Sequence, residues 1–345
     1  MSGRRGLRVP GALATVLVLA ALVWRYLPGT QRADSLRSGE SLLVCIWNVE
    51  NLFDDQDDLA LEDEIEDWMA REPRWVEEKA RRVAEALRLL GGGRGPDLIG
   101  LMEVENRRAL ELARAALNEG RSGGERYEWL VHRDLRTGRR IEPAWLARVP
   151  IRPGSPGARR RGGSRRIVEA VLELDPQQPI HLLLSHWTSR RQARSGEQRA
   201  GYARELRLRL DELRSRDPNV AVVLAGDFNE EAGTPVLRLL TDGAGLIDLL
   251  ASVEPHRQPT LVYQGRGYGY DHVWATRSAV AGLGWRVEPG SADVVDGPPL
   301  REPKRTDRRP WRFGGPGHVG ARGYSDHFPV IFRLVKTGAV AVGRR

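Results

Sequence analysis

Short apolar runs alternate along the chain with longer segments in which apolar residues recur at helical spacing. The runs at 42–47, 97–102, 167–174, 180–185, 220–225, 270–275 and 329–334 have the length of buried strands. Helical spacing occurs at 75–90, 107–117, 196–214 and 235–240, and the glycines at 91–95 end the first of these helices as a C-cap does. Because the two kinds of segment alternate, the pattern predicts an α/β fold.

Four further segments do not fit this alternation. Residues 152–166 and 289–323 are rich in glycine, proline and arginine. We expect both to be surface insertions, because loops of this length are usually functional or disordered. Residues 54–67 are strongly acidic, and residues 31–41 are polar enough to predict a linker.

The first 30 residues carry the pattern of an export signal. Arginines at positions 4, 5 and 8 precede an apolar stretch at 9–24. The stretch is shorter than the roughly 20 residues that span a bilayer, and no Ala-x-Ala site follows it. We therefore expect residues 1–30 to form an uncleaved membrane anchor with its N-terminus inside; the alternatives are a cleaved signal peptide and a buried helix of a cytosolic protein. Both membrane interpretations place the remaining chain outside the cytoplasm.

Charge and cysteine content narrow the classes of protein that fit. The 54 basic and 46 acidic residues give a net charge of +8, which attracts polyanions such as nucleic acid or anionic lipid. Nearly all the basic residues are arginine, however, and a GC-rich genome's codon usage explains that bias equally well. Cys45 is the only cysteine, which excludes an intrachain disulfide and a multi-cysteine zinc site.

Polar residues of the kind used in catalysis lie at the ends of the predicted strands. In chain order the motifs are Trp47-Asn48-Val49-Glu50-Asn51, Glu103-Val104-Glu105-Asn106, Ser185-His186-Trp187, Gly226-Asp227-Phe228-Asn229, Tyr270-Asp271-His272 and Ser325-Asp326-His327. Ligands of α/β sheets bind at strand ends, and carboxylates gathered there can hold a hard cation such as Mg²⁺. Each motif by itself also fits a turn, a cap or a core residue. Their joint occurrence at strand ends favours a catalytic site.

This ordered set of motifs resembles the endonuclease/exonuclease/phosphatase superfamily, and the segment 186–190 resembles a bacterial branch of it. The resemblance predicts a catalytic domain at 42–336 followed by a tail at 337–345. It implies a four-layered α/β sandwich, with two mixed central sheets packed face to face and helices outside. It also implies hydrolysis of phosphodiester bonds with Mg²⁺ as the cofactor, and Mn²⁺ or Ca²⁺ as alternatives.

The resemblance further implies roles for individual residues. The implied metal contacts are Asn48, Glu103 and Asp326, and the implied catalytic residues are His186, Asp227, Asn229, Asp271 and His327. Asp227 would orient or activate the attacking water, Asn229 would contact the phosphate, and His186 would bind a phosphate oxygen or protonate the leaving group. A histidine beside a carboxylate has a raised pKa and a fixed tautomer, which suits acid–base catalysis. Either Asp227 or Asp271 could be the carboxylate that pairs with His327.

One segment departs from the superfamily pattern. Where many relatives read Gly-Ile-Asp-Val-Ala, this chain reads Arg140-Ile141-Glu142-Pro143-Ala144. Glu142 keeps the acid and is either a retuned substrate-binding residue or a structural one. Because Pro143 cannot donate to a sheet ladder, we expect this strand to lie at a sheet edge or to start late.

The arginines after His186 have two interpretations. Arg190 lies within the motif and is predicted to bind substrate phosphate, for which a guanidinium is well suited. Arg191, Arg194 and Arg199 either extend this basic rim or form the solvated start of a helix.

Three functions fit the sequence. The first is an extracytoplasmic nuclease acting on DNA or RNA, and the second is a lipid or small-molecule phosphodiesterase or phosphatase beside its membrane. A non-catalytic binding domain is the third, but it predicts loss of residues such as Glu103 or Asp227, which are present. Bases could stack on Trp187, Tyr268, Tyr270 or Trp311, whereas a lipid enzyme should expose an apolar hairpin. The expected partners are nucleic acid and, through the N-terminal segment, a membrane; no obligate protein partner is implied, and a monomer is expected.

Overall fold

The computed structural model describes residues 41–58, 63–133, 139–154, 167–175, 177–192 and 194–337. The predicted N-terminal anchor or signal, the linker and the tail fall outside these ranges, apart from one boundary residue each of the linker and the tail. Within the part of the chain that the structure describes, no helix combines the length and hydropathy needed to cross a bilayer.

Two mixed β-sheets form the centre of the structure. The first contains β1 (Ser41–Leu52), β2 (Leu98–Val104), β3 (Trp129–His132), β4 (Glu142–Ala147), β13 (Trp285–Val287), β14 (Asp293–Val294) and β15 (Val330–Lys336). Its order is β13-β15-β1-β2-β4-β3, and β14 also pairs with β15. The second contains β5 (Ile151–Pro153), β6 (Ile167–Leu172), β7 (Ile180–His186), β8 (Ala221–Asp227), β12 (Asp271–Thr276) and β9 (Leu246–Asp248), in that spatial order. A separate hairpin consists of β10 (Leu261–Tyr263) and β11 (Arg266–Tyr268).

Six α-helices accompany the sheets within the described residues. They are α1 (Glu64–Arg71), α2 (Arg74–Leu89), α3 (Arg107–Asn118), α4 (Ser195–Arg216), α5 (Pro235–Thr241) and α6 (Arg277–Ala281). Side-chain caps set several of the starts: Asn106 accepts a hydrogen bond from the backbone N–H of Ala109, and Thr234 accepts one from Leu237. All four predicted helices and all seven predicted strands are present, so the predicted α/β class is confirmed.

Alternation along β8 shows how the layers are stacked. Val223 lies in a core cluster with Ile46 of the first sheet, whereas Val222 lies in a cluster with Leu206 and Leu210 of α4. Because successive residues of a strand point to opposite faces, one face of β8 meets the first sheet and the other meets helices. On the far side, α2 and α3 cover the first sheet through the same large cluster. The implied four-layered sandwich is therefore confirmed.

The parallel strand pairs decide where the active site lies. β1 pairs in parallel with β2, and β7 pairs in parallel with β8. The carboxyl ends of parallel strands meet at one sheet edge, so the polar residues near those ends of β1 and β2, such as Asn48 and Glu103, become neighbours. In the second sheet, His186 is in register with Asp227, and Asp271 is in register with Asp227 from the other side.

The strand that contains Pro143 is not at an edge. β4 pairs with β2 on one side and with β3 on the other, so the edge-strand alternative was wrong. Pairing with β3 begins at Ala144, and the register with β2 is irregular between Leu101 and Val104. The strand tolerates the missing N–H because Pro143 lies at this irregularity, between the Glu142–Val104 and Ala144–Leu101 pairs, and one residue before the pairing with β3. β4 begins at Glu142, ahead of the proline, so the expected late start was also wrong.

Residues 289–323 are not a surface insertion, which corrects the expectation from their composition. Val294 pairs with Val330, and Leu300 is buried in the main core. Phe313 is fully buried, and the guanidinium of Arg322 lies 4.7 Å from the ring centre of Trp68. The segment is irregular in backbone but packs as core. Of the other glycine-rich segment, residues 151–153 form β5, and residues 155–166 lie outside the described ranges.

Candidate active site

His327 and Asp271 form a buried hydrogen-bonded pair at the centre of the site. Nδ1 of His327 lies 2.7 Å from Oδ2 of Asp271, and the same oxygen accepts a 2.5 Å hydrogen bond from the hydroxyl of Thr260. On the other side of the ring, Nε2 lies 3.8 Å from Oδ2 of Asp227. Of the two aspartates that the sequence left open, Asp271 is therefore the partner of Nδ1, and Asp227 faces Nε2.

The pKa values of His327 and Asp227 depend on their burial and on the charges beside them. Burial by itself lowers the pKa of His327, but Asp271 and Asp227 outweigh that effect and raise the pKa well above its ordinary value. Burial raises the pKa of Asp227 to about 7, against the lowering effect of His327. The site thus holds a protonated imidazole beside a carboxyl group that can exchange a proton near neutral pH.

Asn48 joins the residues of the two sheets. Its Nδ2 donates to Oε1 of Glu103 at 3.1 Å and to Oδ2 of Asp227 at 3.0 Å, while its Oδ1 accepts from the backbone N–H of Glu50 at 3.0 Å. Nε2 of His186 lies 3.7 Å from the same oxygen of Glu103 and 3.9 Å from that of Asp227. Asn48 therefore positions both carboxylates, and its own oxygen is turned away from them.

Several site residues have backbone angles that side chains rarely adopt. Glu50, Asn51, Glu103 and Asn229 have φ values of 53°, 59°, 65° and 50°. Such conformations cost free energy and persist where the surrounding structure holds them, which is common at functional sites. Asn229 is held by its own N–H, which donates to Asp227 at 2.9 Å, and by its Nδ2, which donates to the carbonyl of Trp187 at 3.0 Å.

Hydrogen bonds hold the loop that contains Asp326 against β1. The hydroxyl of Ser325 donates to the backbone carbonyl of Asn48 at 2.6 Å and accepts from the N–H of His327 at 3.1 Å. The indole of Trp47 donates to the carbonyl of His327 at 2.8 Å. Asp326 is only partly buried. These contacts bring the last motif of the chain against the first, which the sequence order implied only through the family resemblance.

A second polar network behind the site was missed by the sequence analysis. Glu50 is buried and accepts hydrogen bonds from the guanidinium of Arg312 and the N–H of Phe313. Lys79 is fully buried, donates to the carbonyl of Tyr324 at 2.8 Å, and has a pKa that burial lowers to about 8. Glu50 lies within the first motif, so the sequence could have identified it as a residue near the site. Lys79 lies on a helix and had no sequence signal beyond being one of three lysines.

The arginines after His186 differ in their exposure and in their partners. Arg199 is buried, and its Nε donates to Glu230 at 2.7 Å, so it braces the site from inside. Arg190 pairs with the same carboxylate at 3.2 Å but keeps 48% of its side chain exposed, and can therefore reach a ligand. The guanidinium of Arg191 lies 4.6 Å from the ring centre of Tyr263. Glu142 is buried at the start of β4, opposite Val104.

The β10–β11 hairpin stands beside the His327 pair. Leu261 forms a backbone bridge with His327, and the ring of Tyr263 is 44% exposed. The ring centres of Tyr268 and Tyr270 lie 5.2 Å apart, with their planes tilted by 32°. Of the aromatic residues suggested for base stacking, Trp187 is fully buried and Tyr270 nearly so, whereas Tyr268 and Trp311 are partly exposed. Tyr263 was missed, because no local pattern distinguishes an exposed tyrosine from a core one.

The donor set of the site fits a divalent cation. Oε2 of Glu103 accepts from the N–H of Asn51 at 2.8 Å, and the carboxylate retains 18% exposure, so its remaining lone pairs face an accessible space. The resemblance assigned the ion to Asn48, Glu103 and Asp326; of these, Asn48 presents its amide nitrogen and not its oxygen to Glu103, and so orients this carboxylate. Asp227, Asp271 and His327 also lie within 4.8 Å of one another, but Oδ2 of Asp271 is already engaged by His327 and Thr260.

Comparisons with known proteins identify the family and agree with the fold. The model of a family described as "Endonuclease/Exonuclease/phosphatase family" matches residues 43–148 and 163–336. No curated protein matches the chain. Solved structures with the same fold include TDP2 of Caenorhabditis elegans, which is 15% identical with a TM-score of 0.51 and covers 86% of this chain and 97% of its own. A family protein of Bacteroides thetaiotaomicron is 15% identical with a TM-score of 0.52, covering 86% and 98%. A Staphylococcus aureus beta toxin variant with bound magnesium ions is 14% identical with a TM-score of 0.53, covering 86% and 100%.

Proposed function

The chain belongs to the endonuclease/exonuclease/phosphatase family, and from this premise we propose that it is a Mg²⁺-dependent phosphodiesterase that cleaves nucleic acid. The observation that carries the proposal is the buried His327–Asp271 pair, with Asp227 facing the other ring nitrogen. Magnesium is the proposed ion because the donors are carboxylate oxygens, which Mg²⁺ prefers. The magnesium ions bound to the beta toxin variant support the same choice.

Hydrolysis of a phosphodiester adds water across a P–O bond. The water oxygen bonds to phosphorus, the leaving oxygen departs with the bonding electron pair, and a proton passes from water to the leaving group. Asp227 is placed to take the proton of the water, because a pKa of about 7 makes it both deprotonated and basic near neutral pH. A bound divalent metal would supply Lewis-acid stabilisation of the phosphoryl oxygens.

The two histidines act on the phosphate in different ways. His327 stays protonated because Asp271 holds its Nδ1–H, so its Nε2–H is available to a non-bridging oxygen. His186 lies 3.7 Å from Glu103 and 3.9 Å from Asp227, where it either binds a second phosphate oxygen or protonates the leaving oxygen. Asn229, held by Asp227 and Trp187, contacts the phosphate, and Arg190 extends the positive edge.

The hairpin beside the site favours nucleic acid over lipid as the substrate. Tyr263 is exposed, lies two positions after Leu261, which bridges His327, and has the guanidinium of Arg191 over its ring. An exposed ring and an arginine are the elements on which unpaired bases stack. The hairpin tip reads Gln264-Gly265-Arg266, which is polar, whereas insertion into a bilayer needs an apolar tip. The net charge of +8 supports the same choice.

An extracytoplasmic location belongs to the same proposal. It is supported by the basic and apolar pattern of residues 1–30. A reporter phosphatase that folds only outside the cytoplasm, fused after position 345, would be active if the proposal holds. An inactive reporter, with the fusion protein intact, would contradict it.

Cleavage assays with matched substrates test the proposed activity. The purified chain and a His327→Ala control are incubated with labelled single-stranded DNA, duplex DNA, RNA, bis-p-nitrophenyl phosphate and phospholipid vesicles, in Mg²⁺ or in EDTA. We expect Mg²⁺-dependent cleavage of nucleic acid that the control lacks. Cleavage of lipid or small phosphoesters alone would contradict nucleic acid as the substrate but support the proposed hydrolysis. If the folded protein cleaves none of these substrates, the proposed enzymatic activity is wrong.

A further inference from the structure

An acidic segment connects β1 to α1 and takes no part in the active site. Between positions 54 and 67 the chain has nine carboxylates and no lysine or arginine, in a protein whose net charge is +8. The structure describes all of these carboxylates except the one at position 62. Like charges at this density repel one another and require counter-charges from elsewhere.

Arginines distant in sequence neutralise part of the segment. The pairs are Asp55 with Arg108, Asp58 with Arg140, and Asp63 with Arg139. Each of these three carboxylates thus has a guanidinium partner. Of the other five carboxylates that the structure describes, Asp54 accepts hydrogen bonds from Asn106 and from the N–H of Gln56, and Glu64 is exposed. The remaining three need a different source of positive charge.

Those three carboxylates converge on one point. Asp57, Glu66 and Asp67 each place an oxygen within 4.8 Å of the other two. Asp57 is exposed, Asp67 is partly buried and Glu66 has no exposed surface. Among the residues that the structure describes, none of the three forms an ion pair with an arginine or lysine.

Glu66 supplies an independent sign that something binds there. Its Oε1 accepts a 2.7 Å hydrogen bond from the backbone N–H of Asp58, but its Oε2 is buried and accepts none. Burial raises the pKa of Glu66, and the carboxylate of Asp57 adds to that rise. A buried carboxylate oxygen without a donor costs free energy. A cation held between the three carboxylates would remove that cost.

We propose that Asp57, Glu66 and Asp67 form a calcium-binding site separate from the active site. Calcium accepts six to eight oxygens, from carboxylates that bind through one or both atoms and from water, in flexible geometry. Three carboxylates and water meet that demand, and the exposed side of Asp57 gives the ion a way in. Magnesium demands near-ideal octahedral geometry and gives up its water reluctantly, so it fits this cluster less well. The site does not depend on the proposed hydrolase activity.

Terbium luminescence tests the site directly, because Tb³⁺ substitutes for calcium and is sensitised by a nearby indole. Trp68 follows Asp67 and lies 5.6 Å from the ring of Trp75. The full chain in Tb³⁺ is excited at the tryptophan band, and Ca²⁺ or Mg²⁺ is then titrated in. We expect sensitised emission that Ca²⁺ displaces at least about tenfold more effectively than Mg²⁺. Equal displacement by the two ions would overturn the choice of calcium.

Variants with the same loss of charge locate the ion. Glu66→Gln should weaken calcium binding at least about tenfold, whereas Glu64→Gln, an exposed neighbour on α1, should leave it unchanged. Glu103→Gln, in the active site, should also leave it unchanged. If Glu103→Gln abolishes the signal and Glu66→Gln does not, the ion lies in the active site and the proposal is wrong.

Thermal denaturation provides a second readout that does not require luminescence. A calcium concentration of about 100 times Kd should raise the Tm of the wild type by about 5 °C. In EDTA the Glu66→Gln variant should be more stable than the wild type, because the amide removes a buried charge, and calcium should not stabilise it further. Should that variant fail to fold, Asp57→Asn at the exposed position must lose the calcium response. A full response in Asp57→Asn would then overturn the site.

Discussion

Nδ1 of His327 lies 2.7 Å from Oδ2 of Asp271, although 56 positions separate the two residues. The oxygen that holds the imidazole also accepts the hydroxyl hydrogen bond of Thr260, so the orientation of the carboxylate is set from a third element. This arrangement fixes the tautomer and keeps Nε2 directed at Asp227.

Replacement of Asp271 by asparagine should lower kcat by about 10²- to 10⁴-fold while the protein stays folded. The amide cannot stabilise the imidazolium, so the pKa of His327 should fall and the alkaline limit of activity should move to lower pH. A pH profile of the cleavage rate measures both effects. Asp211→Asn, the same change at an exposed site on α4, serves as the control. An unshifted pH profile would show that Asp271 does not set the protonation of His327.

Replacement of Glu103 by glutamine should raise the half-saturating Mg²⁺ concentration at least about tenfold. The amide keeps the shape and can accept from Asn51 as the carboxylate does, but it lacks the charge that holds the ion. Activity measured against Mg²⁺ concentration gives the result. Glu111→Gln, on the exposed surface of α3, should match the wild type. An unaltered metal requirement in Glu103→Gln would remove Glu103 from the metal site.

Stability should depend on pH through Lys79. Burial lowers the pKa of Lys79 from 10.5 to about 8, so the unfolded chain binds the proton more tightly than the folded chain does. Stability is reduced below pH 8 and regained as pH rises from 8 to 10.5, by about 3 kcal/mol at most. In urea denaturation, the free energy of unfolding of the wild type should therefore rise relative to that of Lys79→Met between pH 8 and pH 10.5. A difference that is constant with pH would contradict the shifted pKa.

Gly226 cannot be replaced without disrupting the pairing of β7 with β8. Its φ is +145°, and a Cβ would lie 1.8 Å from the carbonyl oxygen of Ser185, its register partner. Gly226→Ala should destabilise the protein by about 3 kcal/mol or more. Gly201→Ala, in the middle of α4 with open space around it, should stabilise the protein by about 1 kcal/mol. Thermal unfolding of both variants checks the opposite signs.

The exposed ring of Tyr263 should contribute to binding of unpaired nucleic acid. Tyr263→Ala should weaken the affinity for single-stranded DNA by about 5- to 150-fold, which corresponds to the stacking of one base. Fluorescence anisotropy in EDTA measures binding without cleavage. Trp129→Ala removes another exposed aromatic ring, from the outer strand of the first sheet, and should have no effect. Equal affinities for the wild type and Tyr263→Ala would exclude the hairpin as a stacking platform.

The sequence by itself determined the elements and the chemistry available at their ends. The apolar runs predicted seven of the strands, because burial on both faces requires an unbroken apolar segment such as Val220–Ala225. They did not predict β3 or β4. The polar motifs lie where those runs stop, since a residue at a strand end can leave the core without breaking the ladder. The order of the motifs was enough to identify the family.

Only the tertiary structure decided which of these residues meet. Asp227 and Asp271 were equal candidates as partners of His327, because sheet register and not sequence distance sets which carboxylate reaches Nδ1. Arg312 lies 262 positions from Glu50, and no local pattern links them.

The tertiary structure likewise determines which side chains are buried, because neighbouring elements cover some residues and leave others exposed. Trp187 is sealed by Phe228 at 4.8 Å, whereas Tyr263 is left exposed by a hairpin that nothing covers among the described residues. The segment 289–323 enters the core although its composition is that of a surface loop. Hydrophobic pattern reports the preference of each residue for burial, but the arrangement of neighbouring elements determines whether that preference is met.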